Sequence, residues 1–417
     1  MIEWAKTYWK GGVVSISLTR GGDVIAAGVA EKEVHFLAEY GPRRVILSGG
    51  FVARLGRDGS LKWFRIIPWV TITDAEVTGN GEVVLVGVTN EPRTMMLGVI
   101  LKFDGNGNFL WGRRFNGGVL DSFNALTTTR DGGAVVVGET RSFGAGVSDA
   151  LVLRLDGDGN FTWWGTYGGK LWDGAESVTI DREGRIVVAG YTYSFSEGPS
   201  NAWLLWLDNE GDVLLGKTYG TESLEKAVEI VLTPEGDPVV VGKTYVPIKS
   251  RHDAWAIRLD GEGEPEWGLR FPGMEAVDIA VSPSGDLVLA MEDFELAGIG
   301  STGEPLWGER LKLKMNGGLR TVLADEHVLV GGGALWGIGE AFIASIRPEG
   351  EPPAVLDWNP GVKESECTVF RAYANGEACF KATPVGKLTE VRLKPVEFKP
   401  EVFSSFREFA KSCYVRC

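Results

Sequence analysis

Six positions hold most of the side chains that could act together chemically. Asp121, Asp173 and Glu225 recur at 52-residue intervals, and Asp149, Asn201 and Asp253 recur at the same interval further along. Carboxylates in such an array could bind a divalent cation, hold a basic partner, or supply an acid and a base. The fixed spacing supports a competing reading, because residues that recur with a structural unit ordinarily build that unit. Each acid would then tie its own loop to the neighbouring unit, as would Ser142-Phe143 and Ser194-Phe195 in the same loops.

Other constellations carry less. The runs Asp104-Gly105-Asn106-Gly107-Asn108 and Asp156-Gly157-Asp158-Gly159-Asn160 place oxygen ligands at alternate positions. They lack the distal bidentate Glu and flanking helices of an EF-hand loop. Calcium is disfavoured, and a tight turn with Asp bonding backbone amides is expected. The only histidines, His35, His252 and His327, share no metal-ligand spacing, and no Gly-x-Ser-x-Gly elbow accompanies them. Cys367, Cys379, Cys413 and Cys417 are the only cysteines, and their spacings match no common zinc module. Zinc is disfavoured, leaving disulfides or buried thiols. A two-residue turn at Asn375-Gly376 would pair Cys379 with Ala372 and put Cys367 and Cys379 on opposite faces. Disulfides from this hairpin to a C-terminal helix fit better than a Cys367–Cys379 bond. No resident metal or cofactor is indicated.

The elements that must position these residues follow from a second regularity. Gly107, Gly159, Gly211 and Gly263 are 52 residues apart, and four residues beyond each stand Trp111, Trp163, Leu215 and Trp267. Between the turns lie short β-rich runs, such as 124–129, 134–138, 150–155 and 161–164. Four strands per unit of about 40–50 residues is the arithmetic of a propeller blade. Seven units can be counted, and the last lacks a Trp-bearing fourth strand. The segment Ile2-Glu3-Trp4-Ala5-Lys6-Thr7-Tyr8 resembles Leu214-Leu215-Gly216-Lys217-Thr218-Tyr219, so the N-terminal strand is expected to complete the seventh blade. The tryptophans then pack between blades. Both loop types that carry the acidic positions open on one face, where the six would form an arc at the channel mouth.

The period fails in three places. Residues 31–42 lengthen the first blade, the sixth has 40 residues between Trp267 and Trp307, and 353–417 has no repeat at all. That last segment predicts a hairpin about Asn375-Gly376, a strand over 388–393 and a terminal helix from Glu401 to Cys417, with Phe403, Phe406, Phe409/Ala410, Cys413 and Cys417 on one stripe. The expected fold is all-β: a seven-bladed β-propeller over 1–352, with a small α+β appendage at 353–417.

The text Tyr167-Gly168-Gly169, Asp173, Val187-Val188-Ala189-Gly190-Tyr191-Thr192, Ser194-Phe195 and Leu207-Asp208 resembles the seven-bladed propellers built from SBBP repeats. The Asp-x-x-Gly-x-x-x-Trp turn is similar to the blade turns of pyrroloquinoline-quinone-type propellers. These resemblances imply a propeller over most of 1–352 and no common activity.

Formal charge is −14; 353–417 holds ten Lys/Arg against eight Asp/Glu, so the acidity lies in the body. An acidic surface repels phosphate backbones, which argues against nucleic-acid binding. No segment has the apolar length for membrane insertion, and Met1-Ile2-Glu3-Trp4 opens without a signal-peptide pattern, so a cytoplasmic protein is expected. An export signal outside this sequence would instead place it at the cell surface. The absence of glutamine suits a hyperthermophilic, archaeal source. The function expected is that of a non-catalytic scaffold binding a protein partner through its faces and appendage. The alternative is a carbohydrate-active enzyme or ligand-binding propeller using the acidic cluster.

Overall fold

The computed structural model describes residues 2–38, 41–89, 96–196, 198–246, 251–313, 317–325, 327–333, 340–365, 368–373, 378–382, 389–392 and 401–403. For 32–48 and beyond 365 it describes backbone alone. The chain is a β-propeller: among the described residues the strands group into four-stranded antiparallel units around a channel, with the first (13–68) and the last (318–346 with 2–10) joined in one sheet. Blade 2 spans 70–115, blade 3 121–168, blade 4 173–220, blade 5 224–271 and blade 6 276–310.

One strand, Ile2–Leu18, serves two blades. Its first half pairs with Glu340–Ile346 as the outer strand of blade 7, and its second half pairs with Val24–Ala38 as the inner strand of blade 1. The ring therefore closes by hydrogen bonding between its two ends, as the match between 2–8 and 214–219 predicts. Tyr8 donates to the Gly59 carbonyl at 3.0 Å, which is the bond Tyr219 makes to Gly263 at 2.8 Å.

The turn glycines explain the period. Gly107, Gly159, Gly211 and Gly263 have φ of 77–79°, where a Cβ is strained. Each also receives an aromatic ring of the preceding blade, and a Cβ on Gly107 would sit 2.9 Å from the Trp63 ring. The indole N–H groups of Trp63, Trp111, Trp163 and Trp267 donate to carbonyls of the next blade's turn at 3.1, 3.3, 2.7 and 3.2 Å. Leu215 cannot do this, and the ring of Trp206 covers Gly263 instead. Apolar side chains fill every space between neighbouring blades, including the one between blades 7 and 1. The 31–42 insertion is a two-stranded arm, with Val24–Ala38 and Gly41–Leu55 paired from Val24↔Leu55 out to Ala38↔Gly41.

After residue 350 the chain runs back around the outside of the ring. The Glu351 carbonyl accepts from Gly308 N of blade 6 at 2.7 Å. Leu356–Asp357 then pairs with the outer strand of blade 5, Gly361–Glu364 with blade 4, Thr368–Tyr373 with blade 3 and Glu401–Phe403 with blade 2. Gly268 and Gly216 make room for this strap: a Cβ on Gly268 would stand 2.1 Å from the Trp358 carbonyl oxygen. Trp358 is buried and stacks on Trp255 at 4.5 Å and 23°.

Two expectations for the tail need correction. Residues 401–403 are extended, because their backbone completes the edge of blade 2, so a helix does not begin at Glu401; 404–417 lie outside the described residues. The hairpin register is Arg371↔Cys379, not the Ala372↔Cys379 that a two-residue Asn-Gly turn requires, and 374–377 lie outside the described residues. The alternation argument that separated Cys367 from Cys379 falls with that register. Cys367, Cys413 and Cys417, and the Cys379 side chain, lie outside what is described. Among the described residues no helix is long and apolar enough to cross a membrane.

Candidate functional site on the loop face

The six repeated polar positions are all buried, from 0% exposed at Asp121, Asp173 and Glu225 to 5% at Asn201. Asp121 accepts from Thr140 Oγ1 at 2.6 Å, Gly117 N at 2.7 Å and Ser142 Oγ at 3.0 Å. Asp173 repeats the set with Thr192, Gly169 and Ser194. Glu225 accepts from the hydroxyls of Thr221 and Thr244. Asp253 accepts from Gly273 N and is paired with Arg270 and Arg251. These bonds knit each blade-to-blade connection to the loop between the second and third strands, and both loop types open on one face.

Asp149 and Asp173 come together across Gly168, where a Cβ would be 2.1 Å from Asp149 Oδ1 and 2.9 Å from Asp173 Oδ2. Burial, reinforced by the Asp173 carboxylate, pushes Asp149 up to about 7. The native state thus holds a proton there that the unfolded chain releases near pH 4. Asp149's contribution to stability is intact below about pH 4 and is lost as pH rises through 7. Asn201 fills the equivalent place in blade 4 and has no proton to lose. Asp149→Asn is expected to raise stability at pH 8 by on the order of 1–3 kcal/mol, with no gain at pH 4. Urea unfolding at both pH values checks this, and equal effects at the two would refute it.

The side chains beside these anchors depart from the repeat. Leu120, Trp172 and Leu224 share one place in successive blades; Glu139, Tyr191 and Lys243 share a second; Arg141, Tyr193 and Tyr245 share a third. The blade 4 members Trp172, Tyr191 and Tyr193 line a cleft of about 440 Å³ with Ser200, Leu224 and Lys226. Tyr191 donates to Glu139 at 2.6 Å. Lys226 is 2.5 Å from Glu176 and lies over the Tyr191 ring at 4.7 Å. Beside the cleft is an apolar ledge: Val119, Val147, Leu171 and Trp172 are 46, 47, 47 and 45% exposed. Val147 and Leu171 adjoin, with Val147 N donating to the Leu171 carbonyl at 3.0 Å. Sequence reasoning singled out the anchors and missed these neighbours. The available signal was variation at fixed blade positions, rather than repetition.

The channel, with a cavity of about 540 Å³, carries a second set of acids that the 52-residue ruler does not mark. Asp74 accepts from Ala75 N and, in the next blade, Leu126 N at 3.0 Å. Asp278 does the same with Ile279 N and Val322 N at 2.8 Å. Glu76 reaches Thr128 N at 2.6 Å, and Glu229 accepts from Ser177 Oγ and Ile230 N. Burial pushes Glu76 and Asp278 up to about 7 and also raises Asp74 and Glu229, with further repulsion of Glu229 from Asp278. Among the described residues no three Asp, Glu, His or Cys converge as a metal ion requires. The carboxylates of the Asp104 and Asp156 turns are occupied by their own loops. His252 Nδ1 lies 2.6 Å from Glu275.

No family model matches the chain, and no curated protein matches it. Among solved structures it is similar to the Dos1 propeller, with 11% identity over 84% of this chain and 96% of that one and a TM-score of 0.53. Raptor from Chaetomium thermophilum matches at 8% identity over 82% of this chain and 29% of its own, with a TM-score of 0.53. BamB from Moraxella catarrhalis matches at 12% over 83% and 99%, with a TM-score of 0.48. At such identities the likeness to Dos1 and Raptor is one of fold.

Proposed function

We propose that this chain is a non-catalytic interaction propeller of the SBBP-repeat type that binds a protein partner through the loop face of blades 3 and 4. One observation carries the reading: Val119, Val147, Leu171 and Trp172 stand exposed on loops whose backbones are fixed from beneath by buried carboxylates. Large exposed apolar side chains are costly to leave in water, and a pre-ordered surface loses little entropy when a partner covers it. The acidic body favours a partner that is not itself acidic. The SBBP kinship rests on the repeat text around Tyr167 to Phe195.

A ligand-binding channel is the second reading, favoured by the inward-facing Asp74, Glu76, Glu229 and Asp278. It ranks below the first because these carboxylates already accept backbone amides of their own or the next blade. The test is affinity capture from the native source, with wild type and the double variant Val147→Asp, Leu171→Asp as baits, read by mass spectrometry. One stoichiometric partner is expected on wild type, with recovery reduced about ten-fold on a variant of unchanged melting temperature. A bare monomer, or equal recovery on both baits, would sink the reading.

A further inference from the structure

We infer that the cleft between blades 4 and 5 is a binding site for a neutral polyhydroxylated ring, a pyranose of a carbohydrate, stacked on Trp172. The inference rests on the cleft's own chemistry and shares with the protein-partner reading only Trp172, which borders both the ledge and the cleft.

Shape comes first. The cleft's roughly 440 Å³ falls in the range of small-ligand sites, about 300–1,000 Å³. Trp172 and Tyr193 meet edge to face, 6.1 Å apart at 72°, and form a corner of the cleft in which Trp172 stays exposed. Trp172 is the one aromatic residue at a place that the adjoining blades fill with Leu120 and Leu224. Its ring serves no blade packing comparable to that of Trp111 or Trp163, which bond the next blade's turn.

Charge then selects the ligand class. Lys226 is matched by Glu176 at 2.5 Å, and Glu139 accepts the Tyr191 hydroxyl at 2.6 Å. An anionic ligand would find Lys226 already engaged by Glu176, and the described residues lining the cleft include no carboxylate to receive a cation. A purely apolar ligand would strip water from Lys226 and return nothing. A ring of hydroxyls both donates and accepts, so it can replace that water while its C–H face covers the indole. The rigid ring also loses little conformational entropy on binding.

The experiment uses the full chain labelled with nitrogen-15, following the Trp172 indole N–H assigned by Trp172→Phe. Maltose, cellobiose and N,N′-diacetylchitobiose are titrated to about 20 mM, a range suited to millimolar affinities. Arginine amide, glutamate and indole are the cationic, anionic and apolar probes. At least one disaccharide is expected to give a saturable shift. Calorimetry with that sugar should show loss of binding in Trp172→Ala, retention in Trp172→Phe and about ten-fold weakening in Lys226→Met. Leu171→Asp should leave sugar binding unchanged, which separates this site from the ledge. The inference is overturned if no disaccharide saturates, if binding survives in Trp172→Ala, or if indole or a charged probe binds more tightly.

Discussion

Truncation after residue 350 is expected to leave a propeller that still closes but is less stable by about 3–5 kcal/mol and self-associates. The energy estimate comes from Trp358, whose buried ring stacks on Trp255 and belongs to the apolar cluster between blades 4 and 5. Removing a buried Trp costs about that much when the surroundings cannot collapse. Trp358 N also donates to the Gly268 carbonyl at 2.9 Å, Ser365 N to Gly216 at 2.8 Å, and Trp203 Nε1 to Ser365 Oγ at 2.8 Å. Self-association follows from the edges. With the strap gone, the outer strands of blades 2 to 5 present unpaired backbone groups to any other strand. Thermal unfolding and light scattering check both effects. A truncated chain that stays monomeric with an unchanged melting temperature would show that the strap contributes nothing. Gly268→Val is the narrower test, since its side chain would collide with the Trp358 carbonyl. Faster hydrogen exchange over 265–271 is expected, with blade 2 unaffected.

Stability should also fall as pH rises from about 5 to 8, the reverse of the usual acid denaturation by carboxylates. Glu76 and Asp278 are raised to about 7 in the native state, and Asp74 and Glu229 are raised as well. The unfolded chain releases those protons near pH 4, so between about 4 and 7 the native state binds more protons and loses stability with each unit of pH. One fully shifted group contributes at most about 1.4 kcal/mol per unit. Asp278 and Glu76 are only half-buried, so solvent screening discounts that figure, leaving a loss on the order of a few kcal/mol for the set. Asp278→Asn keeps a hydrogen-bond acceptor for Val322 N and removes one titration. It should be more stable than wild type at pH 8 and no more stable at pH 5, as judged by urea midpoints. A wild-type midpoint that rises between pH 5 and 8 would show that these acids titrate normally.

The ring is legible in the sequence because it is written several times over. Gly107 and its counterparts, the tryptophans four residues on, and the likeness of 2–8 to 214–219 each correspond to a contact repeated at successive blade junctions. Repetition reads less well as function. Asp121, Asp173 and Glu225 stood out because they recur, and they recur because every blade must anchor the same loop. Trp172, Tyr191 and Tyr193 do not recur, so no periodic argument reaches them. The channel acids escaped for another reason. Asp74, Glu229 and Asp278 come from blades 2, 5 and 6, and their proximity exists only once the ring is closed.

The tail marks the same boundary more sharply. Its loss of period, its Asn-Gly turn and the glycines after Trp267 and Leu215 were all present in the sequence. None of them says that a strand at 361–364 must lie against one at 217–220. Local sequence determined the blade, the turn and the closing strand, because those depend on neighbours at short or fixed separation. Which residues face water together, which carboxylates repel one another and where the strap docks are set by long-range pairing and burial. Those were decided only by the tertiary structure.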